Sequence, residues 1–239
     1  MNFLEEVVER AHHALTDEVF DYLLLRGASV EQVKQTRVGY FHKPPVIEGD
    51  TPEIKRFRFW AESHDLRDRI IFPLTNPSGQ VIGLNTRGYP KKKFDRFIVK
   101  SATAEAILFG FTEEVKQKAW ETGWLSICEG TFDWFPLNRA APQSVCVLSA
   151  NVSNAQVKFL WRFVRTVVTV LDNDSGGDEG RLKLDRRLGR MQEAPQIFRL
   201  DYKGKDPGES WDSAVGSWAA KTEAFNKQVR SEIALMGLD

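Results

Sequence analysis

The sequence from Thr166 to Gly177, TVVTVLDNDSGG, joins an apolar run to two carboxylates and a pair of glycines. The run from Val167 to Leu171 is typical of a buried β-strand. Side chains two residues apart in a strand point to the same side, so Asp172 and Asp174 are predicted to reach one cation together. The stretch therefore predicts a site for a divalent metal ion.

Around this stretch, from residue 112 onward, predicted helices alternate with short apolar strands. The strands are WLSICEG (124–130), SVCVLSA (144–150), TVVTVLDND (166–174) and PQIFRLD (195–201). The helices are at 112–123, 131–141, 154–164 and 178–190. This alternation predicts an α/β fold in which helices cover a parallel sheet.

The two ends of the chain are predicted to be mainly helical. Thr16 is predicted to cap a helix that ends at Gly27, and Ser29 begins the next one. Three prolines and a glycine interrupt segment 42–56, which is predicted to be a loop or an irregular edge. The tail from Glu209 to Asp239 is predicted to be helical. Its predicted apolar side consists of Trp211, Val215 and Trp218.

A β-hairpin within a basic segment is predicted before the region of alternating helices and strands. Its strands are 69–75 (RIIFPLT) and 81–85, joined by an Asn-Pro-Ser-Gly turn at 76–79. The whole chain is neutral, with 33 basic and 33 acidic residues, but segment 66–100 is basic. Its basic residues are Arg67, Arg69, Arg87, Lys91, Lys92, Lys93, Arg96 and Lys100. Phe94 and Phe97 interleave with them, which suits a groove for single strands as well as a solvated face.

Carboxylates follow three of the predicted strands. One strand is followed by Glu129, another by Asp172 and Asp174, and a third by Asp206. Asp133 faces the same way as Glu129 if the intervening turn is helical. Sites in open α/β sheets form beyond the carboxyl ends of the strands. Converging carboxylates repel one another unless cations neutralise them, and hard oxygen ligands select Mg²⁺ or Mn²⁺. Two such ions could serve nucleotidyl transfer or hydrolysis of a phosphodiester.

Calcium and zinc sites fit the sequence less well. DNDSGGDEG looks like a calcium-binding loop, but Gly176 stands where an oxygen ligand is needed and Lys183 where the loop needs Glu. Cys128 and Cys146 lie in apolar runs and are predicted to be small core residues. No zinc is expected in this chain.

A membrane location is not predicted. No run of about 18 or more apolar residues occurs. The N-terminus from Met1 to Arg10 is acidic and amphipathic, unlike a signal peptide. We therefore expect a cytoplasmic protein.

Three acidic motifs, in this order, resemble those of the TOPRIM fold, and specifically of DnaG-type bacterial and phage primases. EGTFD at 129–133, DNDSGG at 172–177 and GKDPGE at 204–209 look like the EGxxD, DxDxxG and GxDPDE elements of that family. The segments 21–41, 66–88 and 90–111 also parallel the family. Gly208 departs from the pattern because it stands at the second acid of the third motif. Either Glu209 substitutes for that acid or one metal site is weaker.

The resemblance implies a TOPRIM-type parallel sheet flanked by helices, preceded by a mixed α+β basic subdomain and followed by a short helical tail. The expected boundaries are 1–115 for the basic subdomain, 116–208 for the TOPRIM domain and 209–239 for the tail. By the resemblance, no zinc-binding module is expected before the core and no full helicase-binding domain after it. Template recognition and helicase docking are therefore expected to come from other chains, from another part of a longer protein, or from the short ends present here.

The resemblance also implies an activity: Mg²⁺- or Mn²⁺-dependent synthesis of short RNA primers from nucleoside triphosphates on single-stranded DNA. The implied catalytic residues are Glu129, Asp172 and Asp174. Asp133 and Asp206 would complete the metal cluster. The implied residues for template and nucleotide are Arg67, Arg69, Arg87, Lys91, Lys92, Lys93 and Lys100. A replicative helicase or a separate zinc-binding subunit would be a partner, in a bacterial, phage or plasmid replication system.

Two other functions stay open at this point. One is another TOPRIM phosphodiester enzyme, either a nuclease or a fragment of a topoisomerase. A topoisomerase also needs a nucleophilic tyrosine in a separate domain, and none of the tyrosines here has that context. The tyrosines are Tyr22, Tyr40, Tyr89 and Tyr202. The other is a primase-like assembly subunit of a replisome with little activity.

Overall fold

The structure, a computed structural model, describes residues 3–90, 93–212, 214 and 216–238. Within them the helices are α1 Phe3–His13, α2 Asp17–Leu25, α3 Val30–Thr36, α4 Pro52–Ser63, α5 Glu113–Thr122, α6 Thr131–Ala140, α7 Asn154–Phe163, α8 Ser175–Leu188, α9 Pro207–Asp212 and α10 Trp218–Leu235. The strands are β1 Gly39–Phe41, β2 Arg69–Thr75, β3 Val81–Gly88, β4 Phe94–Ile98, β5 Trp124–Cys128, β6 Ser144–Cys146, β7 Thr166–Val170 and β8 Gln196–Arg199. A short 3₁₀ helix covers Lys100–Ala102.

The strands form two sheets of different type. The N-terminal sheet is antiparallel in the order β1-β2-β3-β4. The second sheet is parallel in the order β6-β5-β7-β8, and helices α6, α7 and α8 connect its strands. The predicted α/β class and the hairpin of β2 and β3 are confirmed. Because all four strands of the second sheet are parallel, their carboxyl ends meet along one edge.

Local capping explains where several helices begin. The Thr16 side chain accepts a hydrogen bond from the Val19 backbone N–H at the start of α2. Ser29 and Gln32 form a capping box at the start of α3, with each side chain bonded to the backbone of the other. Gly27, between these helices, has φ of +89°, which is the left-handed conformation that glycine adopts without strain. The predicted ends of this helix pair are confirmed.

Strand β2 separates two apolar cores. Ile70, Phe72 and Leu74 point into the larger core, which continues around the parallel sheet. Ile71, on the opposite face, packs with α1 and α4 in the smaller core. Side chains alternate across a strand, so an apolar run such as RIIFPLT suits a strand that is buried on both faces.

The segment after β4 joins the two sheets. Leu108 exchanges backbone hydrogen bonds of 2.9 Å with Thr75 at the end of β2. Phe109 makes the same kind of bridge to Cys146 in β6, at 2.9 and 3.0 Å. These contacts hold the antiparallel sheet beside the parallel one.

The prediction for segment 42–56 is wrong in its last part. The segment is a loop only up to Thr51, because α4 begins at Pro52, where the missing N–H of proline is tolerated, and Thr51 caps it. The tail is helical, as predicted, and consists of two helices: α9 ends at Asp212 and α10 begins at Trp218. Of its predicted apolar side, Trp211 is buried, whereas Val215 and the side chain of Trp218 lie outside the described residues.

The remaining predictions concern the cysteines, a membrane location and the domain boundaries. Cys128 and Cys146 are fully buried neighbours on β5 and β6, which confirms them as core residues. None of the described helices is both long and apolar enough to cross a bilayer. The domain boundaries at 115/116 and 208/209 stay predictions.

Candidate active site

The carboxyl edge of the parallel sheet carries an acidic cluster, which consists of Glu129, Asp133, Asp172 and Asp206. Strand β5 ends one residue before Glu129, and β7 ends two residues before Asp172. The Glu129 Oε1 atom accepts a hydrogen bond of 3.1 Å from the Asp172 backbone N–H. The first and second acidic motifs are therefore in direct contact.

Asp133 is the most buried member of the acidic cluster, with 9% of its surface exposed. Its Oδ1 atom accepts a hydrogen bond of 3.2 Å from Gly208 N–H, and its carboxyl hydrogen-bonds with that of Asp206. Burial and the neighbouring charges of Asp206 and Asp172 raise the pKa of Asp133 to about 7. The Asp133 carboxyl is therefore partly protonated near neutral pH when no cation is bound.

Asp172 is half-buried and faces the same like charges. Burial, followed by repulsion from Glu129 and Asp206, raises its pKa to about 6. Lys205 acts in the opposite direction, but it does not cancel the repulsion. Two carboxylates of the cluster thus have raised pKa values for the same reasons, which is typical of functional sites.

Asp174 has a different environment from Asp172. The strand ends at Val170, so strand alternation does not extend to either aspartate, and that reason for placing them on one side is wrong. Asp174 caps α8: its Oδ1 accepts a hydrogen bond of 3.0 Å from Gly177 N–H, while its Oδ2 lies 3.5 Å from Lys205 Nζ. These partners lower the pKa of Asp174.

The loop after β7 is held against the loop after β8. The Asn173 backbone N–H donates to the Lys205 carbonyl at 2.6 Å, and its side chain donates to the Gly204 carbonyl at 3.0 Å. The Tyr202 hydroxyl donates to the Leu171 carbonyl at 2.9 Å. This network places the third acidic motif beside the second.

Two glycines make room for the Asp133 carboxylate. A Cβ atom on Gly130 would lie 2.1 Å from Asp133 Oδ2, and one on Gly208 would lie 2.9 Å from Asp133 Oδ1. Gly208, at the position where the family motif has an acid, therefore packs directly on Asp133. Glu209 does not replace that acid in the cluster, because it is exposed and accepts a hydrogen bond from the Lys205 backbone.

The donors of the acidic cluster fit a hard divalent cation in their chemistry. All are carboxylate oxygens, and their mutual repulsion falls when a cation binds. In the part of the chain that the structure describes, no three His, Cys, Asp or Glu side chains already surround one ion position. Binding therefore requires rotation of carboxylate side chains, and Glu129, Asp172 and Asp206, which are only partly buried, are free to supply it.

A cavity of about 280 Å³ separates the acidic cluster from the antiparallel sheet. Glu129, Asp133 and Asp206 line one side of it. Three arginines line the other side, namely Arg26, Arg87 and Arg96. We call this space the arginine cavity.

Aromatic rings hold Arg87 in the arginine cavity. Its guanidinium carbon lies 4.5 Å from the ring centre of Phe132 and 5.5 Å from that of Tyr22. Within the described residues no ion pair joins Arg87 or Arg96 to a carboxylate. The Nε atom of Arg87 is buried without a hydrogen-bond partner. These guanidinium groups thus have capacity for an anion.

Arg26 was not predicted as a site residue, and Arg96 was placed only in the basic segment. Arg26 follows α2, its Nη1 atom lies 2.9 Å from Asp212 Oδ2, and its guanidinium lies over Phe132. No local pattern distinguishes Arg26 in the sequence, because only packing brings it to the cavity. Arg96 could have been predicted as a cavity residue from alternation along β4, because its side chain lies on the opposite face from the buried Phe97.

The other predicted basic residues that the structure describes lie apart from the arginine cavity. Arg67, Arg69 and Lys93 line a second cavity of about 510 Å³, while Lys100 lines neither. Arg67 is exposed and forms a two-contact pair with Asp65, at 2.6 and 2.9 Å. Lys91 and Lys92 lie outside the described residues.

Arg69 is a buried structural residue. Its side chain is 3% exposed, and Nη2 lies 2.8 Å from Asp95 Oδ2, although the angle is not that of a hydrogen bond. It donates hydrogen bonds to the carbonyls of His64, Asp65 and Lys93. These partners fix the guanidinium inside the antiparallel sheet.

Residues 126–211, which include all of the acidic cluster, match the Toprim-like family. Nearly the whole chain superposes on solved primase cores. The structure of the DnaG catalytic core gives a TM-score of 0.73 at 20% identity, covering 96% of this chain and 78% of that one. The DnaG primase catalytic domain bound to ssDNA gives 0.72 at 21% identity, covering 96% and 79%. The chain has the fold of a DnaG-type primase core.

The chain is also similar in sequence to a DNA primase. The DNA primase of Thermotoga maritima is 29% identical over 218 residues, which are 80% of this chain and 37% of that protein. The chain thus spans little more than a third of the length of this relative. The predicted resemblance, made from the three acidic motifs, is confirmed.

Proposed function

We propose that the chain is the catalytic core of a DNA primase that makes short RNA primers on single-stranded DNA with Mg²⁺ or Mn²⁺. The observation that carries the proposal is the arginine cavity, where Arg87 and Arg96, which form no ion pair among the described residues, face a carboxylate cluster. A nucleoside triphosphate needs both: cations for its phosphates and a metal site beside them. The DNA primase relatives support the same reaction.

The residues divide this work between the two walls of the cavity. Glu129, Asp172 and Asp206 would hold the metal ion, and Asp133 would support them from its buried position. A bound ion polarises phosphate oxygens and activates the attacking hydroxyl. Arg87 and Arg96 would bind phosphate oxygens, with Arg87 held in place by Phe132 and Tyr22. Asp174 would set the loop through its cap on α8.

A second set of residues would bind the template. Arg67 and Lys93 line the 510 Å³ cavity on the antiparallel sheet, and Lys100 lies beyond it. Such lysine and arginine contacts to phosphates are independent of sequence and weaken as salt rises. A replicative helicase and a separate zinc-binding subunit stay proposed partners.

A priming assay tests the proposal. Purified chain is incubated with single-stranded DNA of mixed sequence, four ribonucleoside triphosphates and MgCl₂ or MnCl₂, and the RNA products are resolved on a gel. We expect short RNA from the wild type and a loss of at least about 100-fold in Glu129→Gln and Asp172→Asn. Asp185→Asn is the matched control, because Asp185 is an exposed acid on α8 outside the acidic cluster.

Other products would give other functions. Cleavage of DNA that needs the same metals and Asp172, without RNA synthesis, would identify a nuclease. Helicase binding without either activity would identify an assembly subunit. Either result contradicts the proposed primase function.

A further inference from the structure

Phe94 is an aromatic residue at the mouth of the arginine cavity. It begins β4 and pairs directly with Arg87 on β3. The residues of β4 alternate, so Phe97 enters the smaller apolar core at 2% exposure while Phe94 stays 49% exposed. Packing of the core therefore accounts for Phe97 but not for Phe94.

The surroundings of Phe94 suit a planar ligand. The Arg87 guanidinium carbon lies 5.8 Å from the Phe94 ring centre, which places a cation beside the ring. Arg96 lies two residues further along the same face of β4. An exposed ring thus stands next to the groups that are proposed to bind phosphate.

The chain offers a contrasting exposed ring for comparison. Phe59 on α4 is 72% exposed, but it lines neither the arginine cavity nor the 510 Å³ cavity. Exposed apolar residues of this kind are ordinary on protein surfaces. Position beside the arginines and carboxylates, rather than exposure, distinguishes Phe94.

We infer that Phe94 stacks on the base of the nucleoside triphosphate whose phosphates bind in the arginine cavity. The inference rests on the proposed function, since it places the base of the same substrate. Every nucleobase has a flat π-face, so a phenylalanine ring binds all four without selecting among them. An enzyme that copies a template needs this tolerance, because the template has to choose the base.

The test compares ATP with inorganic tripolyphosphate, which has the phosphates but no base. Binding of each to the full chain is measured by isothermal titration calorimetry in MgCl₂. We expect Phe94→Leu to weaken ATP binding roughly tenfold and to leave tripolyphosphate binding unchanged. Phe94→Tyr retains the ring and should bind ATP like the wild type. Phe59→Leu is the matched control and should change neither affinity.

The outcomes separate this inference from the proposed function. If Phe94→Leu leaves ATP binding unchanged, or weakens both ligands equally, Phe94 does not stack on the base, while the phosphate site stands. If Phe94→Leu weakens only binding of single-stranded DNA, measured by fluorescence anisotropy, the ring serves the template and the inference is wrong. If the wild type binds neither ATP nor tripolyphosphate with metal, the proposed function fails as well.

Discussion

The antiparallel sheet around Arg69 and the acidic cluster around Asp133 both bury charge, but only the first supplies the opposite charge. Arg69 has Asp95 at 2.8 Å and three backbone carbonyls. Asp133 has one backbone N–H and is surrounded by carboxylates. A buried charge with its partners in place serves the fold, whereas one among like charges indicates a site for an external cation.

Removing Arg69 should give the largest effect on stability. Arg69→Met removes the nearest counter-charge of the buried Asp95, leaving Lys93 Nζ at 3.8 Å, and the loss costs about 3 kcal/mol or more. The melting temperature, measured by circular dichroism, should fall by roughly 10 °C. Arg67→Met is the matched control, because Arg67 pairs with Asp65 in solvent, and it should shift the melting temperature by less than about 2 °C. Equal losses in both variants would remove the distinction between the two arginines.

Adding a divalent cation should have the next largest effect. At pH 8 the wild type in EDTA has ionised carboxylates that repel one another, and MgCl₂ should raise its melting temperature. Ligand at about 100 times its dissociation constant stabilises by about 2.7 kcal/mol, which is roughly 5 °C or more here. Asp172→Asn should lose most of this shift and Asp185→Asn should retain it. A shift of the same size in both variants would place the cation elsewhere.

Neutralising Asp133 should give the smallest effect, and it should depend on pH. The pKa of Asp133 is about 7 in the fold and 3.8 as an ordinary aspartate, so the protonated form favours folding. Its contribution to stability is complete below about pH 4 and is lost as the pH rises through 7. In EDTA, Asp133→Asn should therefore raise the melting temperature at pH 8 by about 2 °C or more, and by less at pH 5, where only part of the contribution has been lost.

A fall in the melting temperature of Asp133→Asn would contradict the conclusion that like charges surround Asp133 in the acidic cluster. If Asp133→Asn lowers the melting temperature equally at both pH values, the Asp133 carboxylate acts as an ordinary hydrogen-bond acceptor for Gly208. The asparagine side chain can still accept that bond and can donate to Asp206. Asp133→Asn therefore removes the charge of the side chain but keeps its shape.

Much of the fold follows from local patterns. Apolar runs and capping residues located the strands of the parallel sheet and the helices α2, α3 and α5, because these signals act within a few residues. The prediction missed α4 because prolines near 44–52 were interpreted only as interruptions. Pro52 instead starts a helix. The tail was predicted to be helical, but its division into α9 and α10 between Asp212 and Trp218 was not predicted, because Gly216 is only a weak signal for it.

The candidate site was predictable on its acidic side and much less so on its basic side. Strand ends in a parallel sheet share one edge, so motif order was enough to bring Glu129, Asp172 and Asp206 together. The basic side depends on which face of β3 and β4 a residue occupies and on how α2 packs. Arg69 consequently proved structural, and Arg26 joined the cavity from a distant part of the chain.

The acidic edge could be derived from local sequence, because the spacing of carboxylates after apolar strands is a local property of the chain. The groups that face this edge depend on long-range packing. Burial, alternation along β4 and the packing of two sheets select Arg26, Arg87, Arg96 and Phe94 from a chain with no net charge. Charge composition carries no information about position, and electrostatic interactions depend on distance and burial.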